Sequence, residues 1–212
     1  MIDLTIFEST PASKRALSCR KSVCGIAVND VKFTTCISVN GKTINHPAYD
    51  IWSAMINRCY SVKGRIKNPT YNDVTVCDEW LRFSAFFSWW KENHVDGYHM
   101  DKDLLTDSRE YSPSTCVFVT RRINNFLLDS RAAKGDLPTG CSMRANNKKI
   151  RVRVGNPITG RRESLGDYSN EAEAMRAWVE RKVEIANELK GEMDSIDLRI
   201  HPRVIEIINR MK

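Results

Sequence analysis

Between Lys149 and Val154 the chain alternates cleanly, with Ile150, Val152 and Val154 at one parity and Arg151 and Arg153 at the other. Side chains on a β-strand point to opposite faces with a period of two, so such a segment packs one face and presents guanidinium groups on the other. Extending the alternation puts Ser142 and Arg144 on the outward face of a first strand, and Arg162 and Ser164 on that of a third. Guanidinium groups read guanine edges bidentately and grip phosphate. An arginine-dominated sheet face with little acid beside it therefore points to contact with double-stranded DNA. A second set, Cys19, Cys24, Cys36 and His46, has zinc-ligand types in order. Zinc sites usually end in a close pair, and the interval from Cys36 to His46 is too long for a finger-like one.

The elements that must position these residues are legible in outline. Residues 1–45 read as an N-terminal arm, with a strand-like run from Lys32 to Val39 entering the hairpin turn Asn40-Gly41. A helix is expected from Pro47, with Tyr49, Trp52, Met55, Ile56 and Cys59 at helical spacing. Ser61–Asn72 reads as a basic, turn-rich segment, and Val74-Thr75-Val76 as a short strand. Asp78 is the expected cap of a second helix, whose Trp80, Phe83, Phe87 and Trp90 form an aromatic stripe best read as core packing. A polar connector, 131–138, leads to three strands at Gly140–Arg144, Lys149–Val154 and Arg161–Leu165. Asn156 to Gly160 makes the turn between the last two. Ser169 is then expected to cap a long helix carrying Ala174, Trp178, Val179, Ala186 and Leu189 inward. A last amphipathic helix begins at Pro202 and shows Val204, Ile205, Ile208 and Met211.

Composition narrows the function classes. The chain has 212 residues, a formal net charge of +7 and 42% hydrophobic residues, ordinary for a globular protein apart from a basic balance that favours polyanionic partners. No apolar run approaches a membrane span, and the N-terminus reads as no signal peptide. The expectation is a protein of the cytoplasm. Seven cysteines, an odd number, are expected as reduced thiols.

Two stretches resemble known families. Thr139-Gly140-Cys141, the arginine-rich second strand, Leu165-Gly166-Asp167-Tyr168 and Glu173-Ala174-Met175-Arg176-Ala177-Trp178 look like the ethylene-response-factor-type (integrase-type) DNA-binding domain over residues 139–190. The resemblance implies three strands packed on one helix, with the sheet in the major groove. It selects the same outward residues as the alternation does: Ser142, Arg144, Arg151, Arg153, Arg162 and Ser164. The segments Trp52–Tyr60, Val76–Trp80, Met100–Asp103 and Tyr111–Thr120 are similar to phage HNH endonucleases, many of them homing-type, which often carry the same C-terminal reader. The implied fold class is α+β. An HNH-like ββα core with flanking helices (46–130) precedes a linker (131–138), a three-stranded antiparallel sheet packed on one helix (139–190) and a C-terminal helix (191–212).

Carried over residue by residue, the nuclease motif is incomplete. Asp101 matches the metal-side carboxylate, Lys102 stands where the base histidine belongs, and Thr115 stands where an asparagine usually opens the helix. Asn124 or Asn125 matches the closing asparagine. The resemblance implies Mg2+ or Mn2+, held by Asp101 and Asn124, if the centre is active. A lysine of ordinary pKa, about 10.4, is protonated at neutral pH and takes no proton from water. His99, with Asp101 and Asp103 alternating onto its strand face, offers a relocated base. The leading expectation is a phage-type DNA-binding protein with a degenerate nuclease centre. The alternatives are an active HNH endonuclease or nickase, and a phage factor that binds a host protein. The last would expose an apolar patch at Trp89 and Trp90 or at Ile205 and Ile208.

Overall fold

The computed structural model describes residues 3–127, 137, 139–144 and 149–211. The chain mixes helix and strand and divides into two units. The first unit comprises Met1–His94 and Asp107–Cys116, the second Val95–Thr106 and Val117–Lys212. These boundaries cut across the 46–130 segment expected as one core. The expected linker, Leu137 apart, lies outside the described residues.

The chain opens with two short helices, α1 (Thr5–Ser9) and α2 (Lys14–Ser18). Strands β1 (Cys36–Val39) and β2 (Lys42–Asn45) then pair as a hairpin. Its turn works because Asn40 and Gly41 both take positive φ, 52° and 75°, the backbone that two-residue hairpin turns demand. Helix α3 (Pro47–Tyr60) starts where Pro47 pre-sets φ and the His46 side chain accepts the Ala48 amide at 3.1 Å. The basic Ser61–Asn72 segment is more regular than expected. It holds α4 (Val62–Lys67), capped by Ser61 Oγ accepting the Gly64 amide. Strand β3 (Thr75–Val76) leads into α5 (Phe83–Asn93).

Asp78 does not cap α5; it begins a single 3-10 turn, Asp78–Leu81. The cap comes from Asp30, whose carboxylate accepts the Ser84 amide at 2.9 Å and the Ser84 hydroxyl at 2.7 Å. No local pattern could find it, because the partners are 54 residues apart. The aromatic stripe is core, as expected: Trp80, Phe83, Phe87 and Trp90 are buried, and Phe86 and, from α3, Trp52 are buried too. Trp52 Nε1 donates to the Trp80 carbonyl at 2.7 Å, so its polar atom is satisfied inside.

The remaining elements follow in order: β4 (His99–Asp101), β5 (Glu110–Tyr111), β6 (Val117–Val119) and α6 (Arg121–Phe126), then β7 (Cys141–Met143), β8 (Ile150–Asn156) and β9 (Arg161–Tyr168). Helices α7 (Glu171–Glu188), α8 (Lys190–Ile196) and α9 (Ile200–Arg210) close the chain. In the first unit, β5 pairs parallel with β3. In the second, β4 and β6 pair antiparallel and α6 packs against β4. Strands β7, β8 and β9 form a three-stranded antiparallel sheet with β8 in the centre.

One apolar core holds the second unit together. Val152, Val154 and Cys141 from the sheet meet Ala174, Trp178 and Ile185 of α7, with Ile123 and Phe126 of α6 and Val204 and Ile208 of α9 in the same cluster. Gly140 is required where the chain enters this sheet: its φ is +80°, and a Cβ there would lie 2.3 Å from the Trp178 ring. The long helix starts one residue later than expected, because Asn170 rather than Ser169 accepts the Glu173 amide, at 2.9 Å. Among the described residues no helix is long and apolar enough to cross a membrane.

Candidate nucleic-acid interface

The strand register decides which side chains share the sheet's outward face. Ser142 lies opposite Arg151 and Arg153 opposite Ser164, while Arg162 lies opposite Gly155. Directly paired residues point to the same side, as do residues two apart on one strand. Ser142, Arg151, Arg153, Ser164 and Arg162 therefore stand on one face, as the sequence implied. The other face carries the buried Ile150, Val152 and Val154. Arg144 follows β7 directly, its amide bonded to the Lys149 carbonyl, and its side chain is half exposed.

The expectation of little acid on this face needs correction. A bulge between Val152 and Arg153 leaves Leu165 without a partner across the ladder, so Gly166 pairs with Val152 and Asp167 with Arg151. Parity counted from Arg162 and Ser164 would turn Asp167 inward; the extra residue turns it outward. Its carboxylate accepts from Arg144 Nη1 at 2.6 Å and from Arg151 Nε at 3.3 Å. Desolvation works to raise the Asp167 pKa, but the Arg151 hydrogen bond and the charges of Arg144 and Arg151 outweigh it and hold the carboxyl below its ordinary value. Two arginines of the face are thus tied down. Arg153 and Arg162 are exposed and form no ion pair among the described residues. Glu163 points the other way, taken up by Arg181 of α7 at 2.7 Å and by Asn156 at 2.7 Å.

The residues carried over from the nuclease motif do not all come together. His99, Asp101, Lys102 and Asn124 belong to the second unit, on β4, its following turn and α6; Thr115 belongs to the first. Thr115 opens no helix. Its Oγ accepts the Ser112 amide at 2.9 Å and donates to the Glu110 carbonyl at 2.8 Å, closing a turn before β6, while Thr120 caps α6. Strand β4 ends at Asp101, so Asp103 does not continue the alternation with His99. Instead Asp101 Oδ1 accepts the amides of Asp103 and Leu104 at 2.7 and 3.1 Å. Burial pushes the Asp101 carboxyl above the usual carboxylate value, against the pull of those amides and of Lys102. Lys102 is buried and pairs with Asp103, while His99 is exposed and Asn124 half-buried on α6.

Divalent Mg2+ and Mn2+ take oxygen ligands in near-octahedral array. Here Asp101 is engaged by backbone amides and Asp103 by an ammonium group. Among the described residues no group of three or more His, Cys, Asp or Glu gathers for a metal. The same holds for the cysteine set: Cys19 and Cys36 are exposed, Cys24 donates to Asn57 at 3.4 Å, and His46 is buried among aromatic rings. At the positions where a protein-binding factor would expose an apolar patch, Trp90 and Ile208 are buried and Trp89 and Ile205 half-buried.

Sequence reasoning passed over Arg121, Arg122 and Arg161. With Arg153, Arg162 and Lys182 they line a cleft of about 870 Å3 in the second unit. The double arginine at 121–122 and the pair at 161–162 were the available signal. In comparison with known proteins, no family model, no curated protein and no solved structure matches this chain.

Proposed function

We propose that this protein binds double-stranded DNA through the outward face of the β7–β8–β9 sheet, as a phage-type DNA-binding protein acting in the cytoplasm of a host cell. The observation that carries the reading is the register, in which five of the six expected residues share one face whose reverse side is packed on α7. A narrow antiparallel sheet fits the major groove, and arginine and serine side chains reach base edges and phosphates from it. The net charge of +7 supports a polyanionic partner. In this reading the motif segments that resemble HNH endonucleases, of which Met100–Asp103 falls on β4 and its following turn, belong to a former nuclease centre that no longer cleaves efficiently. In support, a lysine holding an ion pair stands in place of the base, and the Asp101 carboxylate is spent on closing a turn.

The test is fluorescence anisotropy with labelled duplexes over a range of salt concentrations. Binding is expected to weaken steeply with salt. Arg153→Ala and Arg162→Ala are each expected to cost about 1–3 kcal/mol on a preferred sequence. Full affinity in both variants would sink the reading. In parallel, supercoiled plasmid incubated with Mg2+ or Mn2+ is expected to stay intact; nicking that disappears in Asp101→Ala would restore the endonuclease alternative.

A further inference from the structure

The sheet face is bordered by a feature that no strand pattern predicts. At the end of the sheet where β8 turns into β9, the cleft of about 870 Å3 is lined by Arg121 and Arg122 of α6, Arg153, Arg161 and Arg162 of the sheet, and Lys182 of α7. None of its lining side chains is acidic among the described residues. Arg122 is drawn to Glu192, and Lys182 donates to the Phe126 carbonyl with its ammonium 3.7 Å from the Phe126 ring centroid. Arg121, Arg153, Arg161 and Arg162 are exposed and form no ion pair among the described residues. Like charges gathered in a concavity repel one another and focus a positive field into it, an arrangement relieved by an anion. The wall is also open to close approach. A Cβ built on Gly155, which lies opposite Arg162, or on Gly160 would meet no atom within 4 Å.

We infer that this cleft takes the phosphodiester backbone of the duplex, flanking the bases that the sheet face meets. Ser142, Arg153 and Arg162 belong to both surfaces, so a strand leaving the sheet face runs into the cleft. The assignment rests on the DNA-binding reading and adds a division of labour to it. Contacts to phosphate position a protein on DNA and carry no sequence information, whereas base contacts specify. Arg121 and Arg161 are then clamps, and Arg153 and Arg162 sit where clamp and reader meet.

The experiment compares the wild type with the double variant Arg121→Ala/Arg161→Ala and with Gly155→Glu, measuring affinity for several unrelated duplexes over a salt series. Neither arginine holds an ion pair among the described residues and a side chain at 155 meets open space, so all variants should fold; circular dichroism checks this. Losing two phosphate contacts is expected to lower the slope of log affinity against log salt by about 2 and to weaken every duplex by the same factor. Gly155→Glu, placing a carboxylate in the cleft, is expected to weaken all duplexes as well. If the wild type binds DNA with an unchanged slope in the double variant and unchanged affinity in Gly155→Glu, the cleft assignment falls and the sheet reading stands. If the wild type binds no duplex, both fall.

Discussion

Asp167 shows how one carboxylate sets the electrostatic character of the arginine-bearing sheet face. It stands among arginines because of a single extra residue in β9, and it holds Arg144 and Arg151 in fixed directions. If the face binds DNA as proposed, the same carboxylate would oppose an approaching phosphate and exchange affinity for order. Replacing Asp167 with Asn keeps the shape and removes the charge. The expected result is tighter binding to arbitrary duplexes, a salt slope steeper by about one, and a smaller ratio of specific to non-specific affinity. Anisotropy on one preferred and one scrambled duplex reads all three; equal or weaker non-specific binding would mean that Asp167 does not compete with DNA. The Cys77 thiol is pushed up to about 11 by burial, so it is protonated at neutral pH and a poor nucleophile.

The capping residue of α3 makes a whole element sensitive to pH. His46 Nδ1 accepts the Ala48 amide, so the ring is neutral with its proton on Nε2, an atom buried without a hydrogen-bond partner among the described residues and enclosed by the rings of Phe7, Phe87 and Trp90. Burial lowers the His46 pKa below its ordinary value; Glu8 and Asp50 oppose the shift and His94 adds to it. A histidine depressed in the folded state is neutral in both states above about pH 6.5. Below that, the unfolded chain takes up the proton first. Stability contributed by this group is therefore full at pH 7.5 and declines as pH falls towards the folded pKa, by at most about 1.4 kcal/mol per pH unit. Urea denaturation at pH 7.5 and 5.5, followed by tryptophan emission, should show this loss in the wild type. His46→Asn, which keeps a capping acceptor, should show a shallower pH dependence, and identical slopes in the two proteins would sink the account.

At the scale of the molecule, the second unit does not begin where its sheet begins. Leu104, Val119, Ile123 and Phe126 lie in the same core as Val152, Trp178 and Ile208, and Lys182 of α7 bonds the carbonyl that ends α6. Large buried side chains contribute about 1.5–3 kcal/mol each, so a fragment without α6 and α9 forfeits a sizeable part of its stability. Residues 95–212, which hold the whole second unit with Asp107–Cys116 of the first as an insertion and Trp178 as their one tryptophan, are expected to melt in a single cooperative transition. Residues 139–190, the stretch that resembles a free-standing reader, are expected to melt far lower or without a clear transition. Equal midpoints would mean that the sheet and α7 are self-sufficient.

The sequence by itself determined the local periodicities. The alternation in β8, the helical stripe of Trp52 and Cys59, the Asn40-Gly41 turn and the inward face of α7 depend only on residues a few positions apart, and strand and helix geometry turn such spacing into faces. It also brought Arg151 and Arg153 to one outward surface, the central strand of the proposed interface. What depended on distant partners was decided by the tertiary structure. Asp30 caps α5 from far along the chain, Thr115 and Asp101 parted into different units, and a bulge at Leu165 swung Asp167 onto the arginine face. The cleft of Arg121, Arg153 and Arg161 belongs to this second kind, since α6 and the β8–β9 turn meet only when one core draws their apolar sides together. Spacing along a chain fixes which way a side chain points within its element, and only packing fixes what it then faces.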